Sequence, residues 1–339
     1  MGFTRLPLRS ELQNIMIEGL KAPDYRAYTV DDDNDDVLLG QFDIQFDQTK
    51  KAEYLKEGEP QEAGTDLPER PDQEIAPASG GAAYQIGLSV CGQFDDKDEF
   101  YADYYYPYLD SGVVSSTEEI TVEPRVDNDS YAGVCDDLRI GAALIFRLRN
   151  SVEYRKSIHT SFLPLASASV SLTALSLEGS VMLPIYKSPD DISRKKNTEI
   201  KRRRLLNAAR SGDENAMRDL TESEMETWSN ILSRIQVDDV YTLVESYFMP
   251  YGAECELYSV LGIITHCESL RNRISGEEVC ILQIESNGLP LAIAINREDL
   301  VGDPQPGRRF KGIIWLQGKI NFPLGCDCSR PERKEEKNG

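Results

Sequence analysis

The pattern of hydrophobic and polar residues predicts a helix near the start of the chain and a strand after it. Ser10 and Gln13 form a capping box, and the apolar residues that follow share one helical face before Pro23 ends the segment. Through residues 37–46, apolar and polar residues alternate, which is typical of a strand with one buried face. We therefore expect a short surface helix followed by a half-buried strand.

A β-hairpin is predicted next, after a long solvated loop at residues 48–82. Apolar residues alternate with polar ones through residues 84–94, the polar sequence DDKD forms the turn, and a second alternating run reaches residue 108. The second strand is expected to place five residues on one buried face: Phe100, Ala102, Tyr104, Tyr106 and Tyr108.

The densest apolar stretch, at residues 131–156, predicts a central buried helix. Asp136 or Asp137 can cap its start, and residues such as Leu138, Ala142 and Ile145 recur at helical spacing. A strand is expected before it, at residues 120–126, and two strands after it, at 168–177 and 180–186. The first part of the chain is thus predicted to be an antiparallel sheet that packs against this helix.

The middle of the chain is predicted to be helical. Ser188 and Pro189 begin a basic helix that runs to Arg210, and a second capping box at residues 221–224 begins another. Residues 240–248 keep helical spacing, although their aromatic and β-branched side chains suit a strand equally well.

Strand patterns return in the last third of the chain. They cover residues 258–267, 278–285, 290–296 and 308–322, with one helical turn at 297–300, an order that suits a small β-barrel such as the oligonucleotide- and oligosaccharide-binding (OB) fold. The predicted fold class is α+β. Its predicted segments are an acidic α+β domain at 1–187, a helical segment at 188–252, an OB-like module at 253–323 and a disordered tail at 324–339.

Charge narrows the range of partners. The chain of 339 residues has a formal charge of −21, and residues 1–136 hold 30 acidic and 10 basic side chains, which disfavours nucleic acids and anionic membranes and favours a protein with a basic surface. No apolar run is long enough to span a membrane, and no signal peptide is recognisable, so we expect a cytoplasmic protein. The seven cysteines are odd in number and scattered, which favours reduced thiols.

One strand carries the strongest candidate ligand-binding surface. Alternate residues of the run 310–322 are uniformly apolar, while the opposite face sets an aromatic residue among cations and amides, the combination that stacks a base and neutralises a phosphate. Packing of the aromatic residue inside the fold is the alternative. The candidate residues are Arg309, Lys311, Trp315, Gln317 and Lys319. A basic run at 194–204 could assist them or could simply be a solvated helix face.

No motif indicates a cofactor, a metal or a catalytic site. The acidic run at 31–36 lacks the glycine and glutamate of a calcium loop, and the cysteines at 326 and 328 have no second pair at zinc spacing. If the protein is an enzyme with a site between domains, Cys135 and Cys267 are the first thiols to consider.

Three stretches carry a family resemblance: SYAGVCDDLRIGAALIFRLRNSVEY, SYFMPYGAECELYSVLG and INREDLVGDPQPGRRFKGIIWLQGKINF. With them the chain resembles, from its start to about residue 322, domain-of-unknown-function family 3881 of Firmicutes, common in Lachnospiraceae. The resemblance implies a cytoplasmic bacterial protein and supplies no catalytic residue.

Three hypotheses follow from the sequence. The favoured one is a non-enzymatic binding or scaffold protein whose acidic domain meets a basic protein partner. Single-stranded nucleic-acid binding through the OB-like module and an enzyme with a composite site between domains are the alternatives.

Overall fold

A computed structural model describes residues 9–30, 37–47, 84–125, 130–159, 168–185 and 244–322, with scattered positions from 200 to 225. Most of these residues lie in two β-sheets. The helices with full bounds are α1 (Arg9–Lys21) and α2 (Ser151–His159). The small sheet contains β1 (Tyr25–Val30), β2 (Leu38–Gln45), β3 (Gln85–Phe94) and β4 (Phe100–Asp110), all antiparallel and in that order.

The large sheet contains the remaining strands. These are β5 (Ile120–Pro124), β6 (Tyr131–Cys135), β7 (Leu144–Leu148), β8 (Ser169–Met182), β9 (Tyr247–Pro250), β10 (Leu257–Arg271), β11 (Glu278–Ser286), β12 (Leu289–Asn296), β13 (Leu300–Val301) and β14 (Arg309–Asn321). A 3₁₀ turn at Arg297–Asp299 precedes β13.

Five strands of the large sheet close into a barrel. Its order is β8, β12, β11, β10 and β14, and the circle closes because β14 also pairs with β8 along its whole length. Only the pair formed by β8 and β12 is parallel. Beyond the barrel, β7 pairs with the end of β14, and β6 and β5 follow as an antiparallel extension.

The large sheet has an apolar core that glycines allow to pack tightly. Phe310 and Phe146 are fully buried. A Cβ atom at Gly318 would lie 2.4 Å from the ring of Phe146, and one at Gly179 would lie 2.4 Å from the ring of Phe310. Because real Cβ atoms do not approach so closely, any residue larger than glycine at these two positions would clash with the ring.

The two faces of the small sheet differ. One face is apolar: Ile44, Ile86 and Leu88 belong to a core to which α1 adds its own apolar side chains, and that core includes Val279 and Ile281 from the barrel strand β11. The other face carries Gln41, Asp43, Ser89 and tyrosines of β4, and their hydrogen bonds and ring contacts reach β7. The small sheet therefore meets the rest of the molecule on both faces, with opposite chemistry.

A β-bulge in β4 separates the tyrosines from the apolar residues with which we expected them to share a face. Gly92 pairs with Ala102, whereas Cys91 pairs with Tyr104, so Asp103 is the extra residue. Since one inserted residue reverses the faces of everything beyond it, the prediction of a common face was wrong. The burial expected of Tyr106 and Tyr108 is confirmed.

The predicted central helix at residues 131–156 was also wrong over most of its length. Residues 131–135 and 144–148 form β6 and β7, and a tight turn that includes Gly141, at a φ of 76°, connects them. The helix starts only at Ser151. Strand pairing determines the conformation of this run, because β7 pairs with β14. The spacing of residues within the run gives no information about that pairing.

Most of the other predicted elements are confirmed. They include α1, the hairpin of β3 and β4, the barrel strands β10, β11, β12 and β14, and the turn at Arg297–Asp299. The two strands expected at 168–177 and 180–186 are one strand, β8, and residues 247–250 adopt the strand alternative. Residues 215–222 are helical.

Several predictions concern residues outside the described ones, namely the loop at 48–82, the acidic run at 31–36, the cysteines at 326 and 328, the tail and most of the basic helix. The barrel takes β8 from one side of residue 187 and its other four strands from the other side. The domain boundaries stay predictions. None of the described helices has the length and apolarity required to cross a membrane.

Candidate functional site: a polar pocket beside a buried arginine

Arg147 of β7 and Arg149, the residue that follows β7, stack on the tyrosines of β4. Alternation along β7 sends Leu144, Phe146 and Leu148 into the core of the large sheet, so Arg147 and Arg149 face the small sheet. The guanidinium carbon of Arg147 lies 4.3 Å from the ring centre of Tyr106, and that of Arg149 lies 3.9 Å from the ring centre of Tyr108. We call this set of buried arginines, tyrosines and their hydrogen-bonded neighbours the polar layer.

Arg149 lies between two aspartates. Its Nη2 atom donates to Asp43 Oδ2 at 2.9 Å, and its Nη1 atom lies 3.2 Å from Asp110 Oδ2. Lys319 of β14 also donates to Asp110, at 3.2 Å. Since the side chain of Arg149 is only 4% exposed, these carboxylates compensate a charge that would be costly to bury alone.

The two aspartates respond differently to the same arginine. Burial raises the pKa of Asp43 above its usual value, against the opposing effects of Arg149 and of hydrogen bonds from Ser89 and Gln41. Burial also opposes ionisation of Asp110, but Arg149 and Lys319 together outweigh it and lower the pKa of Asp110. The difference follows from position, because Asp43 is almost completely buried and Asp110 has a second cation.

The surrounding groups hold Arg149 and the tyrosines in place. Tyr106 donates its hydroxyl hydrogen to the carbonyl oxygen of Arg149 at 3.0 Å, and Gln41 Nε2 donates to the same oxygen at 2.9 Å. Ser89 donates to Asp43 Oδ1 at 2.6 Å. Burial raises the pKa of Tyr106 and Tyr108, so both stay neutral donors in the physiological range.

A cavity of about 110 Å³ opens beside this network. Its walls come from β1, β2, β3, β4, α2 and β14 and from Arg149 and Asn150 between β7 and α2, and almost all of them are polar or charged. The lining residues are Tyr25, Gln41, Asp43, Gln45, Gln85, Tyr108, Asp110, Arg149, Asn150, Glu153 and Lys319. We call this cavity the pocket.

One wall of the pocket has an unmet hydrogen-bond acceptor. Gln41 is only 2% exposed, and its Nε2 atom donates to Ser89 and to the Arg149 carbonyl. Its Oε1 atom is buried and has no hydrogen-bond partner among the residues that the structure describes. A buried acceptor without a donor costs about 1–3 kcal/mol, so its place beside a cavity is notable.

The opposite wall is formed by the start of α2. Tyr25 donates its hydroxyl hydrogen to Glu153 Oε1, and Asn150 Nδ2 donates to Glu153 Oε2 at 2.9 Å. Asn150 also pairs with the backbone of Ile320 through both of its side-chain polar atoms. These bonds fix the first turn of α2 against β14.

The five residues predicted to bind a ligand lie along β14, and four of them have identified partners within the chain. Arg309 is 5% exposed and donates to the carbonyl oxygens of Leu183 and Val244, each at 3.0 Å. Trp315 Nε1 donates to Glu256 Oε2 at 2.9 Å.

The other three are placed differently. Gln317 is fully buried, and its Nε2 donates to the Pro107 carbonyl at 2.8 Å. Lys311 is half-buried, and Lys319 lines the pocket. Their common role in ligand binding stays a prediction.

The thiols named for a composite enzyme site lie elsewhere. Cys135 is fully buried on β6, where burial raises its pKa, and Cys267 lies on β10 with its sulfur 3.5 Å from the Pro304 carbonyl oxygen. Neither lines the pocket. In the described ranges, no group of three or more His, Cys, Asp and Glu side chains is placed to hold a metal ion.

Sequence analysis did not identify the pocket because its residues come from strands far apart in the chain. Asp43 and Arg149 are 106 positions apart, and Asp110 and Lys319 are 209 positions apart. The available signal was local: Asp43 and Arg149 are charged residues that directly follow large apolar ones.

Comparison with known proteins gives one match. A family model described as a domain of unknown function, E. rectale gene description (DUF3881), matches residues 59–318. Neither the curated proteins nor the solved structures include a match.

Proposed function

The chain belongs to the DUF3881 family, whose description assigns no activity, and from this premise we propose a non-enzymatic, cytoplasmic binding protein whose pocket holds a small polar molecule. The carboxylates of the pocket already accept hydrogen bonds from Arg149, Ser89, Lys319 and Asn150. Groups held in this way suit a rigid binding site, because binding gains when the site is ordered beforehand.

The observation that carries the proposal is the set of charged and polar side chains that converge on one cavity. Three buried atoms of this set, Gln41 Oε1 and Arg149 Nε and Nη1, have no hydrogen-bond partner among the described residues. Convergent polar groups fix the orientation of a ligand and provide specificity in a binding pocket.

The volume limits the ligand. An apolar cavity of about 150 Å³ binds benzene, so a cavity of about 110 Å³ suits a molecule of about six non-hydrogen atoms or fewer. Binding energies of such small ligands correspond to dissociation constants on the order of 1 mM. A larger molecule can bind only if the rest of it extends out of the pocket.

The test is a screen of fragments of this size by saturation-transfer NMR with the intact protein. We expect a polar fragment to bind, and its signal to be lost in Gln85→Trp, where the new ring fills the pocket. Gln93→Trp, at the other end of β3, is the matched control and should bind the fragment normally. Binding that survives Gln85→Trp, or a screen without a single ligand, would reject the proposal.

The alternative proposal is single-stranded nucleic-acid binding through the barrel as an OB-like module. A five-stranded barrel with cations and an aromatic residue on β14 supports it. Fluorescence anisotropy with a labelled oligonucleotide tests it: affinity should fall with salt and in Trp315→Ala. An affinity that changes with neither would remove this alternative.

A further inference from the structure

We propose that the group bound in the pocket is a small organic cation, an alkylammonium, whose charge is held by Glu153. This inference rests on the function proposed above and names the chemical class of the ligand. It uses two observations: the charges that line the pocket and the donors that already serve Glu153.

The charges of the pocket do not balance. Three carboxylates, Asp43, Asp110 and Glu153, line it together with two cations, Arg149 and Lys319. Both cations are taken up by the aspartates, since Arg149 contacts Asp43 and Asp110, and Lys319 contacts Asp110. One formal negative charge is left on the side of Glu153.

Glu153 has neutral partners. Its two oxygens accept hydrogen bonds from the Tyr25 hydroxyl and the Asn150 amide, and no ion pair links it to a lysine or arginine in the described part of the chain. Each of its oxygens has a second lone pair for a further donor.

The neutral groups of the walls include both donors and acceptors. Gln41 Oε1 is a buried acceptor, and Arg149 Nε and Nη1 are buried donors, without hydrogen-bond partners among the described residues, while the amides of Gln45 and Gln85 carry both kinds of group. The choice of a cation therefore rests on the charge balance of the pocket. An alkylammonium carries three N–H donors and no acceptor, and like the lysine side chain it is charged at neutral pH. A carboxylate ligand would instead face an excess of negative charge.

A purely structural role for Glu153 is the competing explanation. Glu153 lies in the first turn of α2, where the helix dipole stabilises an acidic side chain. In that case its replacement would lower the stability of the fold without changing which ligands bind. The two explanations therefore differ in selectivity, which can be measured separately from stability.

The experiment compares three probes of similar size, butylammonium, butyramide and butyrate, by NMR titration of the intact protein. We expect butylammonium to bind at least about tenfold more tightly than the other two, because a charged hydrogen bond is stronger than a neutral one. In Glu153→Gln, which keeps the shape and an acceptor oxygen, this preference should fall to about one. Glu178→Gln is the control, since Glu178 is exposed and lies seven residues along β8 from the partner of Lys319.

Each outcome has one meaning. Butyramide or butyrate binding as tightly as butylammonium would overturn the cation inference and leave the pocket as a binding site. An unchanged preference in Glu153→Gln, with thermal stability lowered, would assign Glu153 to the helix alone and overturn the inference too. If none of the three probes binds while other fragments do, only the cation inference fails, whereas a screen without any ligand rejects the proposed function itself.

Discussion

The core of the large sheet and the polar layer are buried to a similar degree but filled with opposite kinds of side chain. Phe146 and Phe310 in the core are fully buried, and in the polar layer Tyr108 is 1% and Arg149 is 4% exposed. The core requires only close packing of apolar side chains, whereas every polar group in the polar layer requires a hydrogen-bond or ion-pair partner. Several buried atoms of this layer lack a hydrogen-bond partner among the described residues, including Gln41 Oε1, Arg147 Nε and Arg149 Nε.

The comparison indicates what each region contributes. Replacing a buried ion pair by well-packed apolar residues is often neutral or stabilising, so a buried Asp–Arg–Asp set is weak support for a role in stability. The core, by contrast, is the ordinary source of stability through apolar burial. We infer that the main role of the polar layer is to shape the pocket, whereas the core stabilises the fold. The four predictions below test this division of roles.

The largest effect is expected in the core of the large sheet. Phe146→Ala should lower the free energy of unfolding by about 4 kcal/mol, because the ring is fully buried between Gly133 and Gly318 and its loss leaves a cavity. Urea denaturation measures this change. A loss below about 1 kcal/mol would mean that the core tolerates a cavity and would weaken the comparison.

A somewhat smaller loss is expected when the polar layer loses its cation. Arg149→Met leaves Asp43 and Asp110 without their shared partner, which should cost about 3 kcal/mol at neutral pH. The cost should shrink at lower pH, because an unpaired buried aspartate takes up a proton instead. Urea denaturation at two pH values checks both statements, and a loss that does not depend on pH would contradict them.

The two aspartates should have opposite linkage to pH. The pKa of Asp43 is raised in the folded state, so its contribution is fully present below the unfolded pKa and is lost as pH rises through the folded value. The pKa of Asp110 is lowered, so its contribution is present above the unfolded pKa and is lost as pH falls through the folded value.

The measurement follows from those signs. Stability of Asp43→Asn relative to the parent should rise as pH increases above about 4, whereas that of Asp110→Asn should rise as pH decreases below about 4, because the two contributions are lost on opposite sides of the ordinary pKa. Thermal unfolding at several pH values records both. Trends of the same sign in the two variants would contradict the division of roles between these aspartates.

A small effect on stability is expected at the predicted site on β14. Trp315→Phe removes the hydrogen bond to Glu256 and should cost about 1–2 kcal/mol, because Glu256 is nearly buried and keeps its pairing with Arg125. Binding of fragments in the pocket should be unchanged, since Trp315 does not line it. Weakened fragment binding would mean that the two sites are coupled.

Local pattern was sufficient for elements whose conformation is set by their own residues. The hairpin of β3 and β4 and the barrel strands β10, β11, β12 and β14 alternate clearly and were predicted correctly, whereas β8 was predicted as two strands. The run from 131 to 148 was not, because its apolar residues satisfy a helical spacing and become strands only through pairing with β14. The bulge at Asp103 leaves no mark in the sequence, so the face of Tyr108 could not be assigned.

The candidate site was harder to predict from the sequence than the secondary structure. Arg149 is buried, and the pKa of Asp43 is raised, only because the fold brings together segments more than a hundred positions apart in the chain. Lys319 was named from the sequence for its place beside Trp315, and the structure places it instead at Asp110. The sequence shows the chemistry of each single residue, but not which residues contact one another in the fold.

Closure of the barrel has a consequence for synthesis of the chain. Strand β8 obtains its partner β14 late, as the bond from Asn321 to Ser169 shows, which spans 152 positions. At the usual pace of translation this delay is on the order of ten seconds. During that time a ribosome carries a nascent chain with an unpaired, largely apolar strand, which can pair with a neighbouring nascent copy before its own partner has been made.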